Sequence, residues 1–311
     1  MKKRDFLKLT DLSVTEARDV LSLAAQIKSE PKGARQTALS GRAVAVVLEK
    51  SSTRTRVSFE VGIAQLGAHP VILGFEGSQL SRGEPVRDTA RVLARYCDAI
   101  VYRTSEPVRL REMAEAGVPV IKALSDAGHP VQVLSDVFTV EEALRNAGDG
   151  KGISGRRVAF VGDGSSNMAR SWLEAAPLFG FHLELATPRE YLPPAAEIAA
   201  AGEHVSVCND PEAAARGAEV VNTDVWASMG QEKERAARTR AFSDWTVDAR
   251  MLSRAAAHAI VLHCLPAHRG EEIDAETLEG PRSRVWEQAE NRLHVQKALL
   301  LWLLGISRAS G

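Results

Sequence analysis

A chain of 311 residues is long enough for about two domains of roughly 150 residues each. Hydrophobic residues make up 45% and charged residues 25%, the ordinary balance of a globular protein, which excludes a mainly disordered chain. Lys plus Arg total 39 and Asp plus Glu total 40, for a formal net charge of −1. Because the chain has no global positive field, we expect neither nucleic acid nor a membrane as a partner.

The apolar runs and the cysteines also narrow the class of protein. No apolar run approaches the roughly 18 residues of a membrane span, and the longest, 298–304, predicts the buried face of a final helix. Cys97, Cys208 and Cys264 are odd in number and form no Cys-x-x-Cys pair. We therefore expect no disulfide framework, no metal site and a cytoplasmic protein.

Helix-like and strand-like segments alternate along the first half. Ser13 and Glu16 have the spacing of a capping box and open an amphipathic helix. The apolar run 43–48 is typical of a parallel strand that is covered on both faces. The following pattern predicts helices over 53–66, 86–96 and 131–145, and strands over 70–73, 99–102 and 118–121.

The segment 146–152 is rich in turn residues and marks the predicted domain boundary. Beyond it, strands are expected over 157–161, 182–186, 218–222 and 259–262, with a helix over 168–179. Repeated strand–helix units predict an α/β fold of two domains, each a parallel sheet flanked by helices. Such sheets bind ligands at the carboxyl ends of their strands, so we expect an active-site cleft between the domains. The predicted limits are 1–147, 148–285 and a C-terminal helix over 286–311.

The segment 49–56 is the strongest candidate for an anion site. Ser52, Thr53, Arg54, Thr55 and Arg56 stand between an apolar strand and an apolar helix. Hydroxyls and backbone N–H groups at a helix start bind anions, and guanidinium groups match phosphate oxygens. A capping serine followed by a solvated basic face is the alternative, but five polar or cationic groups in succession favour phosphate.

Three further residues of the first half could reach the same place. His129 and Gln132 lie one turn apart at the head of a helix, and they suit a carbonyl oxygen and an amide-like NH2 group. Arg103 follows a predicted strand. Taken alone, the histidine is typical of a structural residue and the arginine of a surface charge.

Two strand ends of the second half carry polar groups. Asp224 can pair with an ammonium group, and Cys264 offers a polarisable side chain. A free cysteine is more often an inert small hydrophobe.

Together these segments resemble the ornithine carbamoyltransferases. The resemblance runs in the same order over nearly the whole chain, from residue 5 to about 304, and the first of its motifs is shared with aspartate carbamoyltransferases. The second-half motifs point to ornithine. The matching motifs are Ser52-Thr53-Arg54-Thr55-Arg56, His129-Pro130-Val131-Gln132, Asp224 with Ser228-Met229-Gly230, and His263-Cys264-Leu265-Pro266.

The resemblance implies transfer of a carbamoyl group from carbamoyl phosphate to the δ-amine of L-ornithine, in arginine or citrulline metabolism, without a cofactor. It implies that 1–147 bind carbamoyl phosphate, that 148–285 bind ornithine, and that the last helix packs back on the first domain. The implied catalytic residues are Arg54, Arg103, His129 and Cys264. Carbamoyl phosphate would be bound by Ser52, Thr53, Arg54, Thr55, Gln79, Arg103, His129, Gln132, Cys264, Leu265 and Arg292, and ornithine by Asn167, Asp224, Ser228 and Met229. Gln79 resembles the residue that these enzymes lend to a neighbouring subunit, which implies a homotrimer or a multiple of one.

The sequence departs from the family motifs at two places, and three alternative functions remain beside this interpretation. Lys122 replaces a usual asparagine, and Ser165-Ser166 stand where asparagine is common. Another acceptor, such as putrescine or N-acetylornithine, is possible within the family. Gly162-x-Gly164 opens a helix about 20 residues before Glu184, as in a nicotinamide-dependent dehydrogenase, but the third glycine is absent. A non-enzymatic binding module would require broken motifs, and here they are intact.

Overall fold

The computed structural model describes residues 3–145, 152–227 and 234–306. The described residues form two compact units, one within Met1–Leu134 and Glu290–Gly311 and the other within Ser135–Ala289. The turn-rich segment over 146–152 lies outside the described residues except for Gly152. The predicted domain limits therefore stay a prediction.

The first unit contains a four-stranded parallel sheet in the order β2-β1-β3-β4. Its inner strands are continuous apolar runs and are buried, as expected for a parallel sheet covered on both faces. The strands are β1 (Ala43–Leu48), β2 (His69–Gly74), β3 (Ala99–Arg103) and β4 (Val120–Leu124). Chain order reverses between β1 and β3, and Leu48 is paired with Arg103, so the loops after these strands start side by side.

Helices surround this sheet: α1 (Val14–Ser29), α2 (Thr53–Gln65), α3 (Val86–Tyr96) and α4 (Pro107–Ala114). The predicted capping box of α1 is present, with Ser13 and Glu16 each accepting from the other's backbone N–H. Two longer helices are α5 (Pro130–Leu144) and α12 (Val285–Leu303). Within the first unit, Lys28 of α1 donates to Asn291 (2.8 Å) and Lys297 donates to Gln65 of α2 (2.9 Å).

The second unit contains a five-stranded parallel sheet in the order β7-β6-β5-β8-β9. The strands are β5 (Arg157–Val161), β6 (His182–Ala186), β7 (Val205–Cys208), β8 (Val220–Thr223) and β9 (Ile260–His263). The shorter helices are α6 (Asn167–Phe179), α7 (Ala195–Ala201), α8 (Pro211–Ala215), α9 (Arg235–Ala241), α10 (Ala249–Leu252) and α11 (Ala275–Glu279). Chain order reverses at β5 and β8, which is where an open parallel sheet accommodates a ligand.

Most predicted elements are present within one or two residues, and the fold class is confirmed. The strand expected over 118–121 instead covers Val120–Leu124, because Pro119 cannot donate to the ladder, so Lys122 is a strand residue. The sequence did not predict β7, a four-residue edge strand that is only half-buried and lacks an apolar run. No helix among the described residues has both the length and the apolar surface needed to cross a membrane.

Candidate active site

The start of α2 is built as an anion site of the first unit. Ser52 caps the helix by accepting from the backbone N–H of Thr55 (3.3 Å), and Thr53 and Arg54 form the first turn. The N–H groups of this turn lie outside the helical ladder, and the helix dipole favours an anion here. A cavity of about 400 Å³ opens beside it, lined by Ser51, Ser52 and Thr53 among others.

The Thr55 hydroxyl is bonded to two of the predicted arginines. Its side chain is fully buried, and Oγ1 accepts from Arg292 Nη2 (3.0 Å) and from Arg103 Nη1 (3.4 Å). Arg292 Nη1 also donates to Gln132 Oε1 (2.5 Å). All of these side chains are buried, although Arg292 lies 237 residues beyond Thr55 in the sequence. The structure thus brings Thr55, Arg103, Gln132 and Arg292 together.

His129 lies among the cations of this cluster. It immediately precedes α5, its carbonyl accepts from the Gln132 N–H (3.0 Å), and its side chain is buried. Burial lowers the pKa of the imidazole well below its usual value, and the charges of Arg292, Arg103, Lys122 and Arg54 lower this pKa further. The ring is therefore neutral at physiological pH, and a neutral imidazole can still donate one hydrogen bond.

Other residues of the first unit are placed differently. Gln79 is exposed and begins the 3-10 helix Gln79–Arg82. Arg56 is exposed and pairs with Glu60 one turn along α2, so it matches the alternative of a solvated basic face. Lys122, which replaces the usual asparagine, is buried and adds positive charge near His129.

In the second unit, Asp224 and Cys264 touch. Asp224 directly follows β8 and Cys264 directly follows β9, and the Cys264 thiol donates to Asp224 Oδ1 at 3.2 Å. Burial raises the pKa of the Asp224 carboxyl above its usual value, although the nearby His263 and Cys264 oppose the shift. A bound ammonium group would stabilise the charged form of such a buried carboxylate.

His263 and Glu272 hold the turn that carries Cys264; the sequence analysis placed His263 in a motif without giving it a role, and it missed Glu272. The Leu265 N–H donates to His263 Nδ1 (2.8 Å), so the proton is on Nε2, which donates to Glu272 Oε1 (2.9 Å). Leu265 itself has φ of 60°, the only non-glycine residue with positive φ in the described ranges. Such backbone is costly unless its surroundings hold it, and it is frequent at functional sites.

Two groups of side chains have metal-ligating atoms within 4.8 Å of one another: Asp224 with His263 and Cys264, and His268 with Glu271 and Glu272. In the first group both ring nitrogens of His263 are already engaged. A metal there would have to displace the Leu265 N–H or Glu272, so its side chains do not form a prepared metal site.

The loop after β5 carries Asn167 as the first residue of α6. Ser166 caps that helix, and Ser165 donates through both its N–H and its hydroxyl to Asp163. The two serines that depart from the usual pattern therefore have local structural roles, and Asn167 remains half-buried. Ser228 and Met229 lie outside the described residues.

Comparison with known families covers nearly the whole chain. Residues 4–142 match the carbamoyl-P binding domain of aspartate/ornithine carbamoyltransferase, and residues 154–303 match its Asp/Orn binding domain. The chain belongs to the aspartate/ornithine carbamoyltransferase family.

Its relatives in this family agree. The chain is 70% identical to an ornithine carbamoyltransferase of Sorangium cellulosum over 99% of its length and all of that protein. It is 53% identical to one of Acidothermus cellulolyticus, with 99% of each chain covered. Among solved structures, ornithine carbamoyltransferase of Burkholderia thailandensis has a TM-score of 0.87 at 44% identity, covering 97% of this chain and 98% of that one. The Pyrococcus furiosus enzyme has a TM-score of 0.88 at 40% identity, covering 97% of each chain.

The family match confirms the resemblance drawn from the motifs and speaks against a dehydrogenase. In the loop 162–164, the Thr187 side chain and the Tyr191 carbonyl pack against Gly164, where a dinucleotide would have to approach. A Cβ at Gly164 would lie 2.9 Å from the Thr187 side chain and 3.0 Å from the Tyr191 carbonyl oxygen. Glu184 lies in the middle of β6 rather than at its end. Neither feature suits the dinucleotide motif.

Proposed function

We propose that this chain is an ornithine carbamoyltransferase, which converts carbamoyl phosphate and L-ornithine to L-citrulline and phosphate. The observation that carries the proposal is the buried Thr55 hydroxyl, which accepts from two arginines beside a neutral histidine. That cluster offers fixed positive charge for a phosphate and hydrogen-bond donors for a carbonyl oxygen. Its place next to a capped helix start suits a small doubly charged anion.

The phosphate would bind at the start of α2. Ser52, Thr53 and Thr55 supply hydroxyls, while Arg54 and Arg103 supply guanidinium groups. The leaving phosphate gains charge as its bond to the carbamoyl carbon breaks. Cations that are already in place stabilise that charge without the cost of reorganisation.

The carbamoyl group would bind against His129, Gln132 and Arg292. The carbonyl oxygen becomes an oxyanion when the amine attacks, and the one N–H group of the neutral His129 ring can donate to it. Gln132 Oε1 accepts from Arg292, and the second lone pair of this oxygen would accept from the carbamoyl NH2 group. We assign His129, Arg54, Arg103 and Cys264 as the residues that act on the reacting atoms.

The acceptor would bind in the second unit. Asn167, Asp224, Ser228 and Met229 would hold the amino-acid end, while Cys264 and Leu265 line the reacting side. The δ-amine must be neutral to attack, although free alkyl amines have a pKa of about 10, as in lysine. Burial lowers that pKa because it disfavours the charged form. Positioning the two reactants can supply on the order of 7–11 kcal/mol.

We further propose a homotrimer or a multiple of trimers in which the exposed Gln79 serves a neighbouring subunit, and a role in arginine synthesis. We also propose that the protein acts in the cytoplasm. Its three cysteines are free thiols, as expected in a reducing compartment: Cys97, Cys208 and Cys264.

The test is product formation with the wild-type chain and Arg54→Ala. Wild type should release citrulline and phosphate in a one-to-one ratio, and Arg54→Ala should raise the KM for carbamoyl phosphate and lower kcat. Arg91→Ala is the matched control, because Arg91 is an exposed residue of α3 that pairs with Asp88. Unchanged kinetics for Arg54→Ala would remove Arg54 from the site, and absence of citrulline with the wild type would refute the function.

A further inference from the structure

Glu49 opens the candidate anion segment 49–56, where the sequence assigned it no role, and it has an unusual set of partners. It directly follows β1 and directly precedes the phosphate loop. Its carboxylate accepts from four donors: the Tyr102 hydroxyl, the Thr104 hydroxyl (2.6 Å), and Arg109 Nε (2.8 Å) and Nη2 (2.6 Å). The side chain is only 11% exposed. Bidentate pairing with arginine is among the stronger polar contacts in proteins.

Two of these donors flank Arg103. Tyr102 and Thr104 are fully buried and stand on either side of Arg103 in sequence. Successive side chains of a strand point to opposite faces, so Glu49 holds the neighbours of Arg103 from one face while Arg103 reaches Thr55 on the other. The backbone adds a further bond, because the Glu49 N–H donates to the Arg103 carbonyl at 2.9 Å.

Arg103 needs such support because the strand pairing beside it is irregular. Tyr102 pairs with Lys122 of β4, but Arg103 pairs with Leu124, so Ala123 is an extra residue. The extra residue belongs to β4, so the bulge interrupts the regular pairing of β4 with β3 beside Arg103. The bonds that Glu49 accepts from Tyr102 and Thr104 therefore help to fix the strand end that carries Arg103.

The same carboxylate also fixes α4. Arg109 lies in the first turn of that helix, and Thr104 Oγ1 accepts from the Glu106 N–H at its start (3.2 Å). Glu49 thereby joins the end of β1, the end of β3 and the start of α4. One side chain thus connects the start of the phosphate loop to the strand end that carries Arg103.

We propose that Glu49 is a positioning residue of the phosphate half-site, which sets the direction of Arg103 and the start of the loop before Ser52. This inference rests on the proposed function, because it assigns phosphate to that loop. Glu49 lines the cavity beside the start of α2, but its carboxylate is engaged by four donors and would repel a phosphate, so we assign it no direct role in binding the substrate. It acts through Arg103, so its loss should weaken the handling of carbamoyl phosphate and leave the binding of the acceptor intact.

The experiment compares Glu49 with a matched ion pair elsewhere in the same unit. Arg35 donates from Nε and Nη2 to Glu30, both at 2.7 Å, and these side chains are 21% and 23% exposed. Glu49→Gln, Glu49→Ala, Glu30→Gln and Glu30→Ala would each be measured for KM of carbamoyl phosphate, KM of ornithine, kcat and Tm.

We expect Glu49→Ala to raise the carbamoyl-phosphate KM by about 10- to 100-fold, the cost of displacing a positioned group by roughly 1 Å. Glu49→Gln, which keeps the shape and can still accept from Tyr102, should recover much of that loss. The ornithine KM should change less than twofold in both. The Glu30 variants should lower Tm and leave both KM values unchanged.

The proposal is overturned if Glu49→Ala lowers Tm as the Glu30 variants do but changes the carbamoyl-phosphate KM less than twofold. If Glu49→Ala does not fold, Glu49→Gln and the double variant Tyr102→Phe/Thr104→Val are judged by the same KM criterion. Titration calorimetry with inorganic phosphate gives a readout that needs no turnover. Should the wild type fail to make citrulline, the proposed function falls, and the Kd for phosphate alone decides whether Glu49 positions the site.

Discussion

Replacing Thr55 with valine removes one hydroxyl and almost no volume. Thr55 is fully buried, and its Oγ1 accepts from Arg292 at 3.0 Å and from Arg103 at 3.4 Å. The longer of these bonds is weak by distance. The substitution therefore removes about one good hydrogen bond to a charged donor, worth roughly 1.5–3 kcal/mol. The Arg292 and Arg103 guanidinium groups would then lose the contact that orients them toward the substrate.

If that free energy is lost from transition-state binding, kcat/KM for carbamoyl phosphate should fall about 10- to 100-fold, since each 1.36 kcal/mol is a factor of ten. The assay is the initial rate of citrulline formation with carbamoyl phosphate varied at saturating ornithine. The ornithine KM should stay within twofold of wild type.

Thr139→Val is the matched control. Thr139 is also buried, but its hydroxyl donates to the Ser135 carbonyl one turn back in α5 (2.8 Å), as helix threonines often do. This variant should retain wild-type kcat/KM. A Thr55→Val enzyme whose kcat/KM falls less than twofold would refute the assignment of the hydroxyl as the organiser of the cluster.

Three other perturbations have defined outcomes. The pKa of His129 in the folded chain lies below the usual value of about 6.5, so the unfolded chain binds the proton first and the stability falls as the pH drops below about 6.5. His129→Gln should therefore flatten the fall in Tm between pH 7 and pH 5. Parallel curves of Tm against pH for the variant and the wild type would contradict this. Asp224→Asn keeps the shape of a buried side chain but removes its charge, so the ornithine KM should rise about 10-fold or more while the carbamoyl-phosphate KM holds. Arg238 donates to the buried Asp163 at 2.6 Å, so Arg238→Met should lower the free energy of unfolding, measured in urea, by about 3–5 kcal/mol. Adding Asp163→Asn to this variant should restore part of the lost free energy. If the two losses simply add, the ion pair does not contribute as described.

Sequence patterns predicted the elements whose signals are local. The strands β1, β5 and β6 match their predicted bounds. Short apolar runs between polar segments mark β1 and β5, alternating polar and apolar residues mark β6, and the capping box of α1 fixes the start of that helix. The short helix α4 and the edge strand β7 were missed. Eight residues with a single turn of apolar periodicity, or four half-buried ones, carry too little pattern to stand out.

The site was predictable where motifs follow strands. Thr55, Arg103, His129 and Gln132 were identified from their places at strand ends and helix starts, and the structure of the first unit brings them together. The bond from Arg292 to Thr55 spans 237 residues, and no spacing rule indicates it. Glu49 was overlooked for the same reason, since its partners lie 53 to 60 residues further on and only the register of β1 with β3 places them nearby.

The same limit applies to Glu272. A glutamate nine residues after His263, next to Glu271, is typical of a solvated loop. Glu272 is nevertheless fully buried and accepts from both the His263 imidazole and the His268 N–H. His263 and Glu272 support Leu265, whose backbone has positive φ. Nothing in the sequence pattern indicates that this leucine would adopt the left-handed conformation.

The most direct test of the central claim is an acceptor panel. Purified protein would be mixed with carbamoyl phosphate and, in parallel, L-ornithine, putrescine, N-acetylornithine and L-aspartate, and the ureido product would be measured. The proposed function predicts strong turnover with L-ornithine alone. Turnover with a different amine would keep the phosphate half-site and contradict the role given to Asp224, and no turnover with any of the four would contradict the transferase itself.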